Sequence, residues 1–275
     1  MFRRSIYKTP AQLRAMVEPG LITAASLDAA GAAVAAGVTT AAVDEAASAA
    51  VLARGAESNF KLVRGYHHTT CISVNEQVVH GIPGSRVLEP GDIVSVDSGA
   101  QYQGWNGDSA RTFIVPDPTR PSLVAAREEL SRVTEGSMWA GIAAMASARH
   151  LGDIGAAIQD YIEAQGEYGI LREYVGHGIG RKMHEAPSVF NYRTPDPGAE
   201  VKPGLVLAIE PMVTAGSDQT LVEDDDWTVS TVDGSDGSHW EHSVAVHADG
   251  IWVLTAADGG RAGLAPFNVT PTPIP

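Results

Sequence analysis

Three short apolar segments, CISV at 71–74, DIVSVDSGA at 92–100 and ARTFIV at 110–115, are separated by the turn clusters IPGS, EPGD and GWNG. Val- and Ile-rich runs bounded by Gly, Pro and Asn read as antiparallel strands joined by tight turns. Immediately before them, residues 10–55 are alanine-rich with helical spacing and are broken near the middle by glycine and polar residues. That pattern predicts a pair of helices.

The same order then recurs. A second alanine-rich stretch at 121–166 predicts another helix pair, and EYVGHGIG at 173–180, PGLVLAIEPMV at 203–213 and HWEHSVAVHADGIWVLT at 239–255 read as further strands. At an offset of about 111 residues, Val43 superposes on Ile154, Val51 on Ile162 and Gly55 on Gly166. Composition alone gives two such helices some likeness, so the order of elements carries more weight. Helices then strands, twice over, predict an α+β fold whose halves form one curved antiparallel sheet covered by helices. The functional cleft is expected between the halves. We expect one domain over 1–263 and a proline-containing tail over 264–275.

Composition narrows the function. In 275 residues with 44% hydrophobic content, 19 Lys and Arg stand against 33 Asp and Glu, a formal charge of −14. Such a chain repels nucleic-acid phosphates and anionic membrane surfaces, and no basic patch offsets this. Lys8, Arg14 and Glu18 interrupt the apolar core a secretory leader needs. The uncharged run between Asp28 and Asp44 holds 15 residues, short of a membrane span. A lone cysteine, Cys71, suits a reducing compartment, so a cytoplasmic protein is expected.

Within the strand segments, charged groups stand where aliphatic side chains are ordinarily buried. Alternation puts Ser95, Asp97 and Gly99 on one face of 92–100, opposite Val94 and Val96. Asp108 follows 11 residues after Asp97, and a hairpin through Gly104 and Asn106-Gly107 brings the two carboxylates to one region. Glu210 interrupts VLAIEPMV, and Glu241 shares a strand face with Ser243 and Ala245. Taken singly, each acid has an ordinary reading; Asp108, for instance, could pair with Arg111. Four together repel one another unless divalent ions supply the missing positive charge. His177, flanked by Gly176 and Gly178, adds a nitrogen donor. One imidazole and four carboxylates suit Mn, Fe, Co or Zn in a catalytic pair, and spacing does not choose among them.

The other candidates are less marked. His80 in VVHGIP and His184 in RKMHEAP could be turn residues or donors to a substrate carbonyl and amide. His67, His68, His239, His242 and His247 read as structural or exposed, and EDDDW at 223–227 as a solvated hairpin tip. There is no phosphate loop, GxSxG elbow or CxxC motif.

The series TTCISVNEQVVHGIP, DIVSVDSGA with NGDSARTF, YVGHGIGRKMHEAP, LAIEPMV and WEHSVAV resembles the type I methionine aminopeptidases over about residues 10–255. The resemblance implies the pita-bread fold and a dinuclear centre. It implies that Asp97 chelates one metal, that Asp108 and Glu241 bridge both, and that His177 and Glu210 complete the second site, Glu210 doubling as proton shuttle. A bridging water or hydroxide would attack the first peptide carbonyl while the free α-amino group binds a metal. His184 would stabilise the oxyanion, His80 would contact substrate and assist the leaving nitrogen, and Tyr66, Cys71, Met183 and Trp227 would form the methionine pocket. Met183 departs from the aromatic residue common there, which loosens the expected preference for methionine.

The implied activity is removal of initiator methionine from nascent chains when the second residue is small. Implied partners are N-terminal Met peptides and nascent chains, with ribosome contact, and a monomeric enzyme is expected. The chain begins Met1-Phe2, so by that size rule it should keep its own methionine. Two alternatives stay open: an Xaa-Pro aminopeptidase or prolidase of the same fold, and a non-catalytic peptide-binding module.

Overall fold

The computed structural model describes residues 5–275; the expectation about Met1-Phe2 falls outside them. The first helical stretch forms α1 (Pro10–Ala15), α2 (Val17–Ala33) and α3 (Thr40–Leu52). Thr9 caps α1 with Gln12 in a reciprocal box, and the Thr39 hydroxyl accepts the Ala42 N–H to start α3. Alanine keeps both long helices at high propensity, and Val43, Ala47 and Val51 form the buried stripe of α3.

The strands that follow are β1 (Glu57–Ser58), β2 (Thr70–Val74), β3 (Gln77–Val79), β4 (Ile93–Tyr102) and β5 (Trp105–Ile114). β4 and β5 form a long hairpin turning at Gln103-Gly104, so Asn106 and Gly107 lie in the strand rather than in the turn. Asp108 is therefore inside β5, not at its start. Ile72, Val74, Val94 and Val96 pack under α2 and α3 against Leu27, Val43 and Ala47. That leaves the opposite face, with Ser95 and Asp97, turned toward the second half. α2 lies close on the sheet: a Cβ at Gly107 of β5 would sit 2.7 Å from the Pro19 carbonyl oxygen.

The second half repeats the plan with α4 (Pro121–Ala144), α5 (Leu151–Gln165), β6 (Gly169–Ile170), β7 (Gly176–Gly178), β8 (Glu185–Val189), β9 (Val206–Ile209) and β10 (Met212–Thr214). β11 (Thr220–Val222) and β12 (Val229–Thr231) make the acidic-tipped hairpin, and β13 (Gly237–His239), β14 (His242–His247) and β15 (Gly250–Val253) complete the strands. Ile142, Ile154, Ile158 and Ile162 of α4 and α5 pack on Leu207, Ile209 and Val244. The expected correspondence holds in burial: Val43 and Ile154 are both 0% exposed, Val51 and Ile162 both 1%.

The ladder is divided into four sheets rather than running as one. One interruption falls at Glu210-Pro211 and Trp240-Glu241, where proline has no N–H to give the ladder. Residues 264–275, read from sequence as a tail, pack on the domain. Leu264, at the end of α6 (Arg261–Leu264), is 0% exposed, and Thr272 donates its N–H to Ile251 and accepts from His247 Nε2. Among the described residues no helix is long and apolar enough to cross a membrane.

Candidate active site

The strand registers decide where the five expected ligands lie. Cys71 stands opposite Asp97, and Asp97 opposite Ala110. Ala110 and Glu241 exchange main-chain hydrogen bonds of 3.2 and 3.0 Å. Met212 pairs with His239 and Ile209 with His242, so the same register sets Glu210 opposite Glu241. Two residues along every strand, a second row runs Gly99, Asp108, Ser243, Ala208, His177. Cross-strand partners and residues two apart share a face. Asp97, Asp108, His177, Glu210 and Glu241 thus project from one surface, and Gly, Ala and Ser between them leave it open.

Side-chain geometry agrees. Donor atoms of Asp97, Asp108 and Glu241 lie within 4.8 Å of one another, as do those of His177, Glu210 and Glu241, and those of Asp108, His177 and His184. His177 Nε2 is 3.4 Å from Glu210 Oε1 and 3.9 Å from Asp108 Oδ2. No Lys or Arg among the described residues pairs with these carboxylates; Arg111 instead reaches Asp28 at 2.6 Å. Asp97 Oδ1, Asp108 Oδ1 and Glu241 Oε1 are buried without a hydrogen-bond partner.

Burial without counter-charge raises the carboxyl affinities for protons. Asp97 is pushed up to about 8 by desolvation, and Asp108, Glu210 and Glu241 stand well above the carboxylate range through desolvation and mutual repulsion. Burial, with His184 nearby, holds His177 down at about 4. A neutral imidazole and orphaned carboxylate oxygens gathered in overlapping groups fit divalent-metal binding.

The remaining expected residues surround this cluster. The His184 ring lies 4.4 Å from that of His177 at the exposed rim. His80, at a left-handed φ of 62° after β3, stacks edge-on against Tyr174 and is held neutral, near 4, by burial and then His184. Tyr66, Cys71, Met183 and Trp227 all line a cavity of about 140 Å³ shared with the carboxylates. Tyr66 packs edge-on against Trp227 at 5.0 Å and donates its hydroxyl to Thr70 O at 2.6 Å. The acidic tip is a turn: Asp225 accepts from the main chains of Trp227 and Thr228, which aims the indole inward.

Sequence reasoning missed four lining or flanking residues, among them Val79 at the end of β3. Phe60 and Val63 line the apolar end of the cavity from a short turn with no strand or helix periodicity. His239, read as structural or exposed, is 1% exposed with Nε2 3.7 Å from Glu210 Oε2. Its position two residues before Glu241 was the available signal, since i and i+2 share a strand face.

Comparison with known proteins agrees with this geometry. The model of metallopeptidase family M24 matches residues 14–248. Methionine aminopeptidase 1 of Bacillus subtilis is 42% identical over 250 residues, covering 91% of this chain and 98% of that one. The crystal structure of methionine aminopeptidase from Thermotoga maritima superposes with a TM-score of 0.85 at 39% identity, over 93% and 99% of the two chains. Prolidase from Pyrococcus furiosus, at 22% identity and a TM-score of 0.71 over 92% of this chain and 66% of that one, shares the fold. With a pita-bread architecture and a carboxylate-imidazole cluster facing an apolar cavity, the chain belongs to metallopeptidase family M24 and, within it, to the methionine aminopeptidases.

Proposed function

We propose that this chain is a dinuclear methionyl aminopeptidase that removes initiator methionine from cytoplasmic nascent chains when the second residue is small. One observation carries the reading: buried, unpaired carboxylates and His177 converge beside an apolar cavity sized by Tyr66, Cys71, Met183 and Trp227. Asp97, Asp108 and Glu241 would hold one divalent ion, and Asp108, His177, Glu210 and Glu241 the other. Glu241 belongs to two of the donor groups and Asp108 to two, which supports their bridging role. When bound, two such ions supply Lewis acidity toward the scissile carbonyl and lower the pKa of water.

The chain's own residues do the rest. Glu210 takes the proton from the attacking water and returns it to the leaving amide nitrogen. His184, at the rim, donates to the carbonyl oxygen as negative charge develops there. His80, neutral and half-buried, donates toward the substrate amide. The aromatic pair Tyr66 and Trp227, with the soft sulfur of Cys71 and thioether of Met183, receives the methionine side chain. We expect the enzyme to be a monomer that meets its substrates at the ribosome.

The test uses metal-reconstituted protein with Met-Ala-Ser, Met-Phe-Ser and an Ala-Pro control, products being identified by mass. Methionine released from the first alone, and abolished by chelator, supports the reading. Cleavage only before proline moves the enzyme to the prolidase branch, and no cleavage with any metal leaves a binding module.

A further inference from the structure

His239 has no part in the chemistry above, yet its position is heavily determined. Its main-chain N–H is shared between Ser95 Oγ at 3.1 Å and Thr112 Oγ1 at 3.2 Å, and its carbonyl accepts from Thr112 Oγ1 at 2.8 Å. Pairing with Met212 fixes it to β10, the strand that follows Glu210. Two residues before Glu241, it forms a third row of the ligand face, Ser95, Thr112, His239, Met212.

The ring is buried at 1% exposure, and Nε2 makes no hydrogen bond. A polar atom so buried ordinarily has a partner. The carboxylate of Glu210 lies between two imidazoles, with Oε1 3.4 Å from His177 Nε2 and Oε2 3.7 Å from His239 Nε2. A small rotation of either side chain closes the second gap to hydrogen-bond length.

We infer that His239 is a positioning residue for Glu210: its neutral imidazole donates Nε2–H to Oε2, fixing the plane of the carboxylate and leaving Oε1 to face His177 and the reacting centre. The inference rests on the reading of Glu210 as metal ligand and proton carrier. Such donors behind a ligand raise metal affinity by holding the ligand in its bound orientation.

The test compares His239→Gln, which keeps an N–H donor at similar reach, with His239→Leu and with His239→Asn, whose shorter amide stops short of Oε2. Mn2+ affinity by calorimetry is read beside kcat and KM on Met-Ala-Ser and beside thermal melting. His239→Leu and His239→Asn should weaken Mn2+ binding and lower kcat by about 10–100-fold with KM little changed, while His239→Gln restores both. Asn covers the case in which Leu fails to fold. Wild-type Mn2+ affinity and turnover in both impaired variants overturns the inference, as does a Gln variant no better than Asn. Glu210→Gln separates the two levels. Full turnover in that variant sinks the role of Glu210 itself, whereas its loss alongside wild-type behaviour of the His239 variants sinks only the positioning role.

Discussion

Ala110 and Glu241 exchange both main-chain hydrogen bonds across the seam between the two halves of the molecule, at 3.2 and 3.0 Å. Ala110 also pairs with Asp97, so this one residue spaces two of the carboxylates, and its methyl is 0% exposed. Ala110→Val adds two methyl groups inside that row. Overpacking of a tight site costs about 1–3 kcal/mol, and displacing reacting groups by an ångström costs about 100-fold in rate. We expect a modestly lowered melting temperature with kcat down about 100-fold, read by thermal scanning and peptide assay. A variant as active as the parent would mean that the row has room to spare.

Asp44 acts further from the centre. Its Oδ1 accepts the main-chain N–H of Thr69 at 2.9 Å, the N–H of Thr70 at 2.7 Å and the Thr70 hydroxyl at 2.7 Å. It thereby ties α3 to the start of β2, next to Tyr66 and Cys71. Asp44→Ala leaves two buried amides without an acceptor, each costing about 1–3 kcal/mol. Urea denaturation should show a loss of about 2–5 kcal/mol, and KM for Met-Ala-Ser should rise as the pocket wall loosens. Asp44→Asn, keeping one acceptor oxygen, should lose less.

Removal of metal has a pH signature with a definite sign. In the metal-free protein Asp97 binds its proton up to about pH 8, far above the ordinary carboxyl value, because it is desolvated. A carboxyl whose proton affinity is raised by folding stabilises the folded state at low pH. That stability is lost as pH rises from about 4 through the folded-state pKa. Each tenfold difference in proton affinity is worth about 1.4 kcal/mol, or roughly 2–4 °C per kcal/mol in a chain of this size. His80 and His177, held down at about 4 by burial, oppose this slope only below their ordinary imidazole range, so chelator-stripped protein should melt several degrees lower at about pH 8 than at about pH 6.5. Mn2+ at about 100 times its dissociation constant should add about 2.7 kcal/mol, and at one fixed Mn2+ concentration the lift should be larger at about pH 8, where fewer protons compete for the ligands. A stripped protein with a flat pH profile and no response to Mn2+ would contradict the assigned cluster.

Much of this was legible in the chain because side-chain direction in a strand depends only on parity. Asp97 against Val94 and Val96, and Glu241 beside Ser243, announce which face carries the acids before any partner strand is known. Cross-strand register is another matter. That Ala110 faces Glu241 depends on how two segments 131 residues apart are brought together, and no local pattern encodes it. For His239, parity with Glu241 gives the strand face, and only the register of β10 adds that Glu210 lies beside the ring. The boundary of β5 was misplaced because Asn106-Gly107 is a strong turn signal, overridden here by a ten-residue ladder with β4.

Trp227 offers the sharpest test of substrate choice. Its indole packs at 5.0 Å against Tyr66 and closes the apolar end of the cavity, while Asp225 holds its main chain from the hairpin tip. An indole that, as proposed, receives the methionine side chain and stays clear of the scissile bond should bind substrate and transition state alike. Losing such uniform binding raises KM and spares kcat. Burial of a large apolar contact is worth about 1.5–3 kcal/mol, so Trp227→Ala should raise KM for Met-Ala-Ser about 10–100-fold with kcat within a few-fold. Asp225→Ala, which frees the turn but keeps the indole, should give a smaller rise in the same direction. If Trp227→Ala instead lowered kcat at constant KM, the indole would be positioning the reacting bond and the pocket would have to be drawn elsewhere in the cavity.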